Sequence, residues 1–165
     1  MILSTHVVVG SAIASLIPNH PIVGFSLAFV SHFLLDAIPH WDYKLKASVR
    51  SEENPLDADI AINRHFIRDL FCIGVYILIG IVIAIFVLGG ASRLSTSAIL
   101  AGTLGGIMPD VLQFVYMKIR RQPLISLQKF HLWIHAKKHI NDPFSGIIRQ
   151  IVIVATTFIA LILIL

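Results

Sequence analysis

Apolar residues run along this chain in blocks of helical length, each closed by proline, glycine or a polar cluster. Ser4 stands where a helix cap belongs, and Val7 to Ile17 is apolar until Pro18-Asn19-His20-Pro21 forces a turn. A second block, Ile22 to Ile38, comes back. The first holds about 13 residues, roughly 20 Å at the helical rise, too short to cross a hydrocarbon core of about 30 Å. The pair therefore reads as a tight, re-entrant helical hairpin. His6 and His32 are equidistant from Asn19 along the chain, so in antiparallel neighbours of equal rise they come level.

Lys44 to Arg68 is the one long polar stretch and reads as a loop outside the bilayer. Asp69 to Gly90 follows, with Leu70 to Leu88 the clearest transmembrane segment and Gly89-Gly90 its end. Ser95 to Ile119 is apolar again, but Gly105-Gly106-Ile107-Met108-Pro109-Asp110 interrupts it and predicts a broken helix around a polar site. Lys118 to Lys138 is basic, with His131, His135 and His139 at four-residue steps, a stripe along one side of a helix lying at an interface or capping a bundle. Ile147 to Leu165 closes the chain as a last apolar helix. The expected fold is all-α: a polytopic membrane helical bundle of five to six helices, including the short N-terminal hairpin, forming a single domain over 1–165.

Composition agrees. With 56% hydrophobic and 13% charged residues and a mean hydropathy of +0.85, the chain is more apolar than a water-soluble domain of this size needs to be. The lipid bilayer is its expected partner. Met1 to Leu16 lacks a basic start and carries Thr5-His6, so no cleavable signal peptide is expected. All but Arg93 of the thirteen basic residues fall in Lys44 to Arg68 or Lys118 to Arg149. By the positive-inside rule those segments and the amino terminus are cytoplasmic, and the carboxyl terminus lies across the membrane. Seven of the eight histidines then gather at the cytoplasmic boundary, and His20 alone falls at the far end as a turn residue.

The chemistry concentrates in Ser31 to Tyr43. His32 and Asp36 are four apart and leave one helix face a turn from each other, inside an apolar segment where unpaired polar groups cost several kcal/mol. Pro39 stops the helix, and His40 and Asp42 follow on the turn, where they can fold back toward the same point. Imidazole and carboxylate together are the donor set of zinc and of non-haem iron or manganese. Asp110, flanked by apolar residues after Pro109, is a further candidate. His65 suits helix capping or headgroup contact as well as ligation, and His139 suits a helix-end cation. Cys72 is the single cysteine, so disulfide and Cys-Cys zinc chemistry are excluded. No nucleophilic serine or cysteine motif, phosphate-cradling loop or dinucleotide fingerprint appears, and no nucleic-acid partner is implied. Gly102 to Gly106 reads as close helix packing.

His-Phe-Leu-Leu-Asp-Ala-Ile-Pro-His, positions 32 to 40, resembles the H-x-x-x-D segment with following proline and histidine of the zinc-dependent phospholipase C and single-strand nuclease superfamily. Thr5-His6, Ser31-His32 with Asp36, and Gly106 to Asp110 also resemble elements of a family of inner-membrane-associated metal-dependent hydrolases. The resemblance implies a bound divalent metal, zinc foremost with manganese or iron as alternatives, in a bacterial-type inner or plasma membrane.

Three functions follow as expectations. The first is a membrane-bound metal-dependent hydrolase acting at the cytoplasmic boundary, with metal ligands drawn from His6, His32, Asp36, His40, Asp110, His131 and His135. Asp42 or Asp110 would take a proton from water. Basic residues beside a site at headgroup depth suit a phosphoester of a phospholipid or lipid-linked compound. The second is a metal-ion or proton transporter or sensor using the same cluster. The third is a non-catalytic structural membrane protein.

Overall fold

The computed structural model describes residues 1–49, 51, 53–90, 95–136 and 140–164. Arg93 and His139 lie outside them. Six α-helices occur among these residues: α1 (Leu3–Ser15), α2 (Pro21–Asp36), α3 (Arg64–Gly90), α4 (Thr96–Ile119), α5 (Leu124–Ile134) and α6 (Pro143–Ile164). Three of them, α3, α4 and α6, are long and apolar enough to cross a membrane, whereas α1 and α2 are shorter apolar helices.

Burial runs opposite to that of a protein folded in water. Ile22, Phe86 and Leu163 are exposed, while His6, Ser11, Ser15, His32 and Asp36 are buried. An apolar exterior of this kind suits a lipid setting, in which polar side chains turn inward because hydrocarbon offers them no partner. At the centre stands α1, which the longer helices enclose. Its neighbours come close because α4 presents glycine. A Cβ on Gly102 would stand 2.3 Å from Ser11 Cα, and one on Gly106 would stand 2.6 Å from the carbonyl oxygen of His6. Gly102 to Gly106 is thus a packing face, as read from the sequence.

That face also corrects an expectation. Residues 105 to 110 were predicted to break their helix, yet α4 runs uninterrupted from Thr96 to Ile119 with Pro109 inside it. Proline removes one backbone donor, but Gly105 and Gly106 in the turn before it are wedged against α2 and α1 and hold the helix line. Ser4 is likewise no cap: α1 begins at Leu3 behind Ile2, which makes no side-chain cap. The turn after α1 is tied by Ile17 N to Ala14 O and His20 N to Ile17 O, with Pro21 opening α2. His20 is exposed there, an ordinary turn residue.

The polar stretch after α2 carries a minimal antiparallel pair, β1 (Ser48–Val49) with β2 (Asp59–Ile60). It is strapped to the carboxyl end of α4. Tyr116 Oη donates to Leu56 O at 2.9 Å, Lys118 Nζ meets Asp59 Oδ1 at 2.7 Å, and Arg120 Nη1 meets Asp57 Oδ1 at 3.2 Å.

Candidate metal centre

Asp36 is the last residue of α2, and its side chain is 3% exposed. Five imidazoles, from three helices and from the segments that follow α2 and α5, turn toward it. His6 of α1 places Nε2 3.2 Å from Oδ1, and His32, one turn earlier on α2, places Nε2 3.1 Å from Oδ2. His131 of α5 lies 3.2 Å from Oδ2, while His40 and His135, on the segments following α2 and α5, stand at 3.9 and 4.0 Å. The level placement of His6 and His32 holds: their rings stack with centroids 3.9 Å apart.

Backbone carbonyls fix two of the rings. His32 Nδ1 lies 2.7 Å from Gly106 O, and His40 Nδ1 lies 2.7 Å from Ile38 O. A carbonyl accepts only, so each Nδ1 carries a proton and each Nε2 faces the carboxylates, the arrangement common for metal-binding histidine. His6 differs. Both of its ring nitrogens are buried without a hydrogen bond, and His32 Nε2 is likewise unsatisfied. The short distances from the two Nε2 atoms to Asp36 are close approaches that miss hydrogen-bond alignment.

Such a cluster is poorly served by protons alone. One carboxylate offers about four lone pairs, and five imidazolium rings packed this tightly would repel one another. Neutral His32, with its proton held on Nδ1 by Gly106 O, would aim a bare Nε2 lone pair at an anion. A divalent cation resolves both conflicts, because imidazole nitrogen and carboxylate oxygen are its preferred donors. Three groups of donor atoms lie within 4.8 Å of one another: His6, His32 and Asp36; His32, Asp110 and His131; Asp36, His40 and His135. They share His32 and Asp36, so the donor set is compatible with more than one ion.

Two carboxylates line the rim. Asp110 of α4 is 36% exposed with Oδ1 3.6 Å from His32 Nε2. Asp42 is 37% exposed, with Oδ2 3.2 Å from His40 Nε2 and Oδ1 2.9 Å from the amino group of Met1. Burial opposes the charge of Asp42, but the His40 bond and the Met1 ammonium outweigh it and hold this carboxyl below the usual range. Burial pushes the imidazole of His135 down, against the pull of Asp36.

All seven predicted ligands, His6, His32, Asp36, His40, Asp110, His131 and His135, meet here, and Asp42 joins them. The expected three-histidine stripe is corrected. α5 ends at Ile134 and His135 is extended behind it, so His131 and His135 reach Asp36 from a helix and from the chain that leaves it. His65 stands apart from the three groups, and the capping at the start of α3 comes from Asn63, whose Oδ1 accepts from His65 N.

Sequence reading missed two participants. The amino group of Met1 lies 3.0 Å from Asp36 Oδ1 and 2.8 Å from His40 Nε2. Gln150, buried within α6, bonds to Ile2, Thr5 and Trp41. Its one signal was an amide opening an apolar run directly after Arg149.

No family model, curated protein or solved structure matches the chain.

Proposed function

We propose that this protein is a membrane-embedded metal-dependent hydrolase whose substrate is a phosphoester at the membrane boundary. The observation that carries the proposal is the convergence of five imidazoles on buried Asp36, with ring nitrogens of His6 and His32 left unsatisfied. His6, His32 and Asp36 would hold one divalent ion, zinc by preference, and the two neighbouring groups offer places for more. Such an ion supplies Lewis acidity, making a nearby water acidic enough to attack near neutral pH and polarising the phosphoryl oxygen.

The remaining chemistry belongs to the side chains. Asp42 lies outside the three donor groups and is open to solvent, so its carboxylate is the group placed to accept the proton of the attacking water. Lys44 and Lys46, exposed just beyond Asp42, provide positive charge where an anionic headgroup would approach.

A reversible metal carrier would use the same ligands, but its route would need ionisable groups through the depth of the bundle. Residues 7–15, 21–31, 71–90, 96–109 and 151–164 contain no Asp, Glu, Lys, Arg or His. The ionisable cluster therefore sits at one end of the helices, which favours a one-sided site over a path.

Phosphate release by detergent-purified, zinc-loaded protein from a panel of phospholipids and isoprenoid phosphates tests the reading. Asp42→Asn should keep its metal and lose about 100-fold or more in turnover. A metal-loaded wild type that hydrolyses no member of the panel would overturn the hydrolase assignment.

A further inference from the structure

Only Gly146, Gln150 and Leu161 of α6 are buried; most of the helix faces outward. Its grip on the rest of the protein near the metal centre runs largely through one side chain. Gln150 Oε1 accepts from Ile2 N at 3.0 Å and from Thr5 Oγ1 at 3.1 Å. Its Nε2 donates to Trp41 O at 3.0 Å and to Gly146 O at 3.4 Å. Both acceptor lone pairs and both donors of the amide are therefore used.

The partners are what make this arrangement informative. Ile2 follows Met1, Thr5 precedes His6, and Trp41 separates His40 from Asp42. A single amide thus ties together the two stretches that deliver His6, His40 and the rim carboxylate of Asp42. Gly146 reinforces the contact, since a Cβ there would stand 2.1 Å from Trp41 Cβ, so the backbone of α6 abuts the same turn. An amide in an apolar helix needs partners wherever it lies. Here three of its four are groups on the ligand-bearing segments, and one lies in its own helix.

We infer that Gln150 is a positioning residue of the metal centre: through Ile2, Thr5 and Trp41 it sets the spacing between His6 on one side and His40 with Asp42 on the other. The inference rests on the metal reading of the cluster. Replacing the amide by an apolar group of equal length leaves α6 its helical character but unties the two stretches, and the donor atoms lose their fixed separation. Outer partners of metal ligands typically contribute 10- to 100-fold in affinity.

The test uses the whole protein in detergent with cobalt(II) as the probe, because its visible d–d absorption reports coordination geometry as well as binding. Gln150→Met should retain wild-type helical content and elution, bind cobalt at least about tenfold more weakly, and show a displaced d–d band. Thr157→Val removes a hydroxyl bonded within α6 to Ile153 O and should match wild type in both. Should Gln150→Met fail to fold, Thr5→Val, which deletes one of the four bonds, decides: a band displaced from wild type supports the role, and an unchanged band overturns it. A folded Gln150→Met with wild-type affinity and spectrum overturns the inference and leaves the metal centre standing. A wild type that binds no cobalt overturns the metal centre and the inference with it.

Discussion

His6 of α1 and His32 of α2 stack their imidazoles 3.9 Å apart with planes inclined by 18°. Two charged rings in that geometry would repel, so at most one of the pair carries charge. The stack places two donors on one side of Asp36, yet the rings are not equivalent. His32 belongs to two of the donor groups and is oriented by Gly106 O, whereas His6 belongs to one. His32→Ala should therefore weaken zinc binding, measured against a competing chelator, by at least about tenfold more than His6→Ala.

Acid should release the metal, because a protonated imidazole cannot ligate. The sign for His135 follows from its burial: with its pKa lowered, it stays neutral, and able to ligate, to lower pH than a free imidazole at about 6.5. Retention should be flat near neutrality and fall only as the pH drops below the free-imidazole range. Dialysis at stepped pH with chelator outside the bag, followed by metal analysis, gives the curve. Loss on raising pH from 7 to 8 would contradict it.

The close crossing of α1 and α4 depends on the missing side chain of Gly102. Gly102→Ala drives a methyl into the backbone of Ser11 and should cost about 1–3 kcal/mol or more, with partial loss of the site as the helices part. Gly74→Ala is the internal control. Nothing lies within 4 Å of its Cβ position, so it should be neutral or gain up to about 1 kcal/mol from helix propensity. Unfolding in mixed micelles distinguishes the two.

The strap over α4 should be separable from the metal centre. Tyr116→Phe removes a neutral hydrogen bond to Leu56 O, worth about 0.5–1.5 kcal/mol, and Lys118→Ala removes an exposed pair with Asp59, worth about 0–1 kcal/mol. The double variant should raise hydrogen exchange in residues 53–62 while zinc affinity stays at the wild-type value. A fall in affinity would tie the strap to the site.

The parts of this arrangement legible in the sequence are those governed by constants of the chain. Helical rise fixed the meeting of His6 with His32 across the Asn19 turn, and the cost of polar groups in apolar segments singled out Asp36 and Asp110. What packing decides was read less well. Pro109 weakens its helix in isolation, but glycine contacts with α1 and α2 keep α4 whole. The four-residue histidine spacing implied one continuous helix, yet α5 ends before His135 and both histidines still reach Asp36 through the tertiary path of the chain. Gln150 escaped notice because its partners lie 109 and 148 positions away, a separation that no local pattern encodes.

The most direct trial of the metal centre is elemental analysis of the protein purified in detergent and passed through a desalting column, wild type beside Asp36→Asn. Asp36 is the donor toward which all five imidazoles turn, so its charge holds the cluster together. The account predicts stoichiometric divalent metal in the wild type and a trace in the variant, with equal helical content by circular dichroism. Equal metal in the two proteins, or none in the wild type after loading with zinc, would contradict it.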